Sequence, residues 1–140
     1  MLDTIRETMA ALRLEAGGYS EGVQIWMKVM SVAFLSAVIF APWKAGARWI
    51  LLAMVINIAG LIILKSIDPT LTRSAIGTSI HLAFWTIAIW AIWRPAARAV
   101  RRADQGSVFN RVYSIWLIVA SAIMVASIIL DARTFIGWFI

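Results

Sequence analysis

Four apolar runs, at about 23–41, 48–64, 74–93 and 112–130, constrain this chain more than any other feature. Wound as an α-helix at about 1.5 Å per residue, each run just covers a hydrocarbon core about 30 Å thick. A backbone in lipid must satisfy its own hydrogen bonds, so the runs read as helices. Their connections carry the punctuation of helix ends. Pro42 in PWKAGA stops the first run, and Asp68-Pro69 marks a turn from which Thr70 or Thr72 can cap the third. Composition agrees: 62% of the 140 residues are apolar and 14% charged, about half the charge of an average soluble domain. The chain reads as an all-α integral membrane protein, a four transmembrane helix bundle over residues 23–140. Runs this close to the minimum length leave little room for tilt.

Residues 1–22 are not a cleavable signal, because Asp3, Glu7, Glu15 and Glu21 interrupt any apolar core. They read as an N-terminal amphipathic interfacial helix. Leu2, Ile5, Met9 and Leu12 recur at helical spacing opposite Arg6, Glu7 and Arg13, and Gly17-Gly18 ends the run. Such a helix packs on its own bundle, lies at the interface or binds a partner. Among the eight tryptophans, Trp26, Trp43, Trp49, Trp90, Trp93 and Trp116 fall near span ends, where indoles anchor a helix at the headgroups. Trp85 alone sits well inside a span and must face another helix or find a buried acceptor.

The thirteen basic residues, ten of them Arg, exceed the acidic ones by six. With four spans, the two termini and the second loop share one side. There Arg6, Arg13, Lys28, Lys65, Arg73 and Arg133 are balanced by Asp3, Glu7, Glu15, Glu21, Asp68 and Asp131. The opposite side sets Lys44, Arg48, Arg94, Arg98, Arg101, Arg102 and Arg111 against Asp104 alone. The five-Arg third loop therefore reads as cytoplasmic, with both termini outside. If the third helix continued past the membrane, Arg94, Arg98, Arg101 and Arg102 would form one stripe, a topology determinant resting on anionic lipid headgroups. Without interleaved aromatics or a fold to place it, the block does not indicate nucleic acid.

Polar residues inside the spans are functional-site candidates, because exposing them to lipid is expensive. Lys28, His81, Asp68 and Asp131 gather toward the amino-terminal leaflet, and Asn57 lies near the middle of the second span. They outline a polar pocket with Asp131 or Asp68 as counter-ion and Asn57 as its floor. Each also has a simpler reading. Lys28 snorkels, Asn57 bonds between helices, His81 packs, and Asp131 ends the last helix in the headgroups. One His and no Cys cannot build a typical zinc site or disulfide. A haem at His81 needs a second axial ligand from a Met or another protomer. No metal and no resident cofactor are expected.

Small residues recur at packing distance in Ala33, Ala37 and Ala41, in Ala75, Ser79 and Ala83, and in Ala122 and Ala126. The four spans, with LTRSAIGTSIHLAFW around the third and SIILDARTFIGW closing the fourth, resemble small inner-membrane proteins of bacteria that have no assigned activity. That resemblance implies an inner (plasma) membrane location and brings no site residues. Small multidrug transporters need a carboxylate in the first span, where Lys28 stands here, and the entry and signature motifs of fluoride channels are absent. The expectation is a non-enzymatic accessory or structural membrane subunit, a homo-oligomer or part of a larger complex. The rivals are a small oligomeric channel or transporter using the Lys28/His81/Asp131 pocket, and a haem or pigment subunit held by His81.

Overall fold

The computed structural model describes residues 2–104, 106–137 and 139, apart from the side chain of Leu2. Helix α1 (Leu2–Gly17) precedes the first span, formed by α2 (Glu21–Leu35) and α3 (Ala37–Phe40). The second span is α4 (Ala45–Ile67). The third comprises α5 (Arg73–Ile80), a π-helical turn (His81–Trp85) and α6 (Thr86–Trp93). A short α7 (Pro95–Ala103) leads to the fourth, α8 (Val108–Ile136). These four spans are long and apolar enough to cross a membrane, and no strand occurs among the described residues. As expected, the Thr72 hydroxyl caps α5 by accepting from the Ala75 amide.

The fourth span is longer than its apolar run. Ser107 caps it one turn upstream, and the helix continues through Asp131-Ala132-Arg133 to Ile136, 29 residues in all. Helices end where hydrogen bonding ends, not where hydropathy falls. At about 1.5 Å per residue, α8 is more than 10 Å longer than a 30 Å core, an excess that the length of the apolar run does not reveal. Asp131 accordingly lies within the helix, five residues before its last, rather than at its terminus.

Buried positions of α8 recur in steps of four and three: Tyr113, Leu117, Ala120, Met124 and Ser127. This is the seam of a left-handed helix bundle. On α4 the matching face is Gly46, Ile50, Ala53 and Leu61. A Cβ at Gly46 would collide with the Tyr113 hydroxyl, and one at Gly60 would meet Ile80 Cδ1 at 2.5 Å, so both glycines permit close helix approach. The third span buries Ile76, Ile80, Trp85, Ala88 and Ile92, where one step is five residues long. The π-helical turn supplies that extra residue and returns Trp85 to the packed face. The core divides in two: a large cluster around Phe34, Ile50, Trp85, Leu117 and Met124, and a smaller one of Leu12, Leu61, Ile76 and Ile80.

Three of the six tryptophans read as headgroup anchors instead bond between helices. Trp26 donates to Ser127 (3.2 Å), Trp93 to Ser121 (2.9 Å) and Trp116 to Ser36 (2.8 Å). Each indole reaches a serine on a neighbouring span, which satisfies two polar groups that lipid cannot. Trp43 and Trp90 remain exposed.

The arginine stripe is also broken. Pro95 cannot continue α6 and drives Arg94 to an extended conformation, with φ −56° and ψ 150°, so α7 starts on a new axis. Arg101 turns back on the bundle. Its Nη1 donates to the Ile92 carbonyl at 2.6 Å, its guanidinium lies 4.8 Å over the Trp93 ring, and burial pulls its pKa below the ordinary value. Arg98 and Arg102 stay exposed on α7. Lys44 bridges to Asp104 at 2.5 Å, tying the first loop to the third.

Helix α1 docks against the bundle. Its packed face is Thr8, Leu12 and Glu15; Met9 is exposed, and the Leu2 side chain is not among those described. The face is rotated from the apolar stripe because polar contacts orient it. Thr8 meets the Ser66 hydroxyl at 3.0 Å, and Glu15 accepts from Lys65 (2.5 Å) and from the Arg73 amide (2.6 Å). Those two donors hold the Glu15 carboxyl below its ordinary pKa. A depressed carboxylate contributes stability above its unfolded pKa, and that contribution disappears as pH falls through the folded value. Amide protection in α1, referred to the intrinsic exchange rate at each pH, is therefore expected to fall once the pH drops below the usual Glu range near 4.5, and Glu15→Gln is expected to remove that loss of protection.

Candidate functional site

The polar residues of the spans do not form the five-membered pocket outlined by the sequence. His81 and Asp131 come together. With about 1.5 Å per residue, His81 lies about 12 Å along the third span from Arg73, well inside the apolar segment. Its Nδ1 is 2.6 Å from Asp131 Oδ2, and the Thr78 hydroxyl donates to Oδ1 at 3.0 Å. Both oxygens of the Asp131 carboxyl are therefore engaged, as a polar group away from water requires. Asp131 occupies the next four-residue step of the α8 seam after Ser127, so the heptad repeat aims it at the third span.

The pair lies where the two core clusters meet. On the third span, Ile80 belongs to the smaller cluster and Trp85 to the larger, with His81 between them. On α4, Asn57 occupies the same gap, between Ala53 and Leu61. The His81 and Trp85 rings are 3.7 Å apart at 31°, which caps one imidazole face. Three polar atoms here are buried without a hydrogen-bond partner: His81 Nε2, Trp85 Nε1 and Asn57 Oδ1. Unpaired buried polar atoms are uncommon, and those of His81 and Trp85 belong to rings 3.7 Å apart.

This geometry limits the chemistry. Nδ1 anchored on a carboxylate is how histidines are oriented for metal or general-base work through Nε2. Here Nε2 has no hydrogen-bond partner among the described residues, and the Thr78 hydroxyl bonds the carboxylate instead. Nε2 is buried, and Trp85 covers one face of the ring. No group of three His, Cys, Asp or Glu placed to hold a metal occurs among the described residues.

Lys28 and Asp68 lie elsewhere. Lys28 is exposed on α2, facing a groove it shares with Arg13 and Arg73, and makes no hydrogen bond or ion pair among the described residues. Asp68 accepts from the Thr70 amide and hydroxyl, which lower its pKa, and so closes its own turn. The sequence reading missed Thr78 and the serines Ser36, Ser121 and Ser127. The signal for Thr78 was its spacing, one helical turn before His81. Compared with known protein families, curated proteins and solved structures, the chain matches none.

Proposed function

We propose that the chain is a non-enzymatic membrane subunit that acts by packing, at lipid depth, against copies of itself or a larger membrane complex. The observation that carries this reading is the third-span stripe. Ser79 and Ala83 are exposed and Ala75 half-buried, so this small-residue face stays outside the bundle. The comparable first-span stripe is used internally, with Ala37 fully buried and Ala33 and Ala41 against the core. Small residues let two helix backbones approach closely enough for dispersion contacts to outweigh those made to lipid. The Ser79 hydroxyl already donates to the Ala75 carbonyl, and that of Thr86 to Leu82, so this face brings no unsatisfied donor to a partner. The rivals have less support: conduction lacks the joined Lys28/His81/Asp131 pocket, and haem ligation would need His81 Nε2, which is buried.

A chain without cysteine suits a single-cysteine test. Ser79→Cys and Ala83→Cys are expected to give crosslinked species in native membranes, as a homodimer or with a heterologous protein. Val32→Cys, on an exposed face of α2, is expected to stay monomeric. Monomeric product from both third-span variants overturns the reading.

The same reading places the chain in a bacterial inner membrane with the third loop cytoplasmic, supported by the five arginines of that loop. Ala99→Cys on α7 is then labelled by an impermeant maleimide only after permeabilisation; labelling in intact cells reverses the orientation.

A further inference from the structure

A groove of about 500 Å³ opens between the end of α1, the outer face of α2 and the start of α5. Its charged lining is Arg13, Lys28 and Arg73, three cations with no acidic residue among them. Glu15 of α1 is already engaged, accepting from Lys65 Nζ and the Arg73 amide. Arg13 and Lys28 have no partner among the described residues. Arg73 is fixed, its Nη1 donating to the Leu12 carbonyl at 3.0 Å and its Nη2 lying 3.9 Å from Met27 Sδ. Like charges gathered in one concavity repel each other, and a bound anion relieves that repulsion.

The groove is also graded along its length. Its α2 wall runs from Gln24 through Met27 and Lys28 to Ser31 and Val32, positions on one helical face spanning about 12 Å. The Gln24 amide is committed to the Gly17 and Tyr19 carbonyls and the Ser31 hydroxyl to Met27, so neither competes for the anion. The cations lie midway, and beyond them Val32 is largely exposed toward the apolar part of the span. We propose that this groove binds an anionic phosphate group, with Arg13, Lys28 and Arg73 as its clamp. Its form matches a lipid whose headgroup phosphate sits on the cations while an acyl chain follows Val32. The shared chemistry is the phosphate, which a free phosphate compound also carries.

Native mass spectrometry of the detergent-solubilised protein, with phosphatidylglycerol, phosphatidylcholine and inorganic phosphate added in turn, tests the proposal. One phosphatidylglycerol is expected to be retained in preference to phosphatidylcholine. Arg13→Gln with Lys28→Gln is expected to weaken that retention by about thirty-fold, from about 1 kcal/mol for each of the two basic residues near a lipid surface. Both side chains are exposed and unpartnered, so the double variant keeps its fold. The Arg98→Gln/Arg102→Gln pair on α7 removes the same charge and is expected to leave this retained molecule in place. If inorganic phosphate binds and displaces the lipid, the clamp stands and its natural ligand is a free phosphate compound. Equal retention of phosphatidylcholine, no retention of lipid or phosphate, or equal loss from the two double variants overturns the site.

Discussion

Truncating Trp85 to alanine is expected to destabilise the bundle by about 3 kcal/mol, one of the two largest single-residue effects anticipated in this chain. Trp85 is 2% exposed, sits edge-on to Phe34 at 5.1 Å and covers the His81 ring. In lipid the transfer share of a large-to-small substitution is small, because the surrounding tails are as apolar as the core. What remains is the cavity and the lost contacts, which for an indole is most of the cost. Trp85→Phe refines the prediction. The indole N–H is buried without an acceptor, so phenylalanine loses volume but also removes an unpaired donor, and is expected to cost less than half as much as alanine. Trp90→Ala, at a position 64% exposed, is expected to shift stability by no more than about 0.5 kcal/mol. Denaturant titration in mixed micelles followed by circular dichroism reads all three. Equal losses from Trp85→Ala and Trp85→Phe would mean the N–H has a partner after all.

The spans were legible because apolar length is a one-dimensional property, and no tertiary detail alters it. Their ends were not, since α8 is bounded by the Ser107 cap and by continued backbone bonding through Asp131. Convergence of His81 with Asp131 followed from counting sides and depths, but inclusion of Lys28 did not follow from its face. Trp26, Met30 and Ala37 recur at helical spacing on the packed side of the first span. Two residues past Trp26 is a rotation of about 200°, which points Lys28 away. That signal was present and depth alone obscured it. Pro95 likewise announced the break that splits the arginine stripe. The Trp-to-Ser bonds had no comparable signal, because they depend on which serine the neighbouring span brings level with each indole.

The His81–Asp131 contact yields the second large effect, and its magnitude identifies its character. Asp131→Ala removes the acceptor of both His81 and Thr78 inside the bundle. Breaking one side of a buried charged pair costs about 3 to 5 kcal/mol, because the remaining charge is stranded. A neutral interhelical hydrogen bond within a membrane averages only about 0.6 kcal/mol. A double-mutant cycle of His81→Ala and Asp131→Ala therefore separates two states of the same geometry. Coupling of about 2 kcal/mol or more is expected if the imidazolium and carboxylate face each other as ions, and coupling near 0.6 kcal/mol if the imidazole is neutral. We expect coupling above the neutral value, since the 2.6 Å contact to His81 and the Thr78 hydroxyl engage both Asp131 oxygens. Asp131→Asn retains an acceptor oxygen but no charge, so it should recover stability only in the neutral case. Strict additivity in the cycle would deny that the two residues touch, and the polar join between the core clusters would then lose its centre.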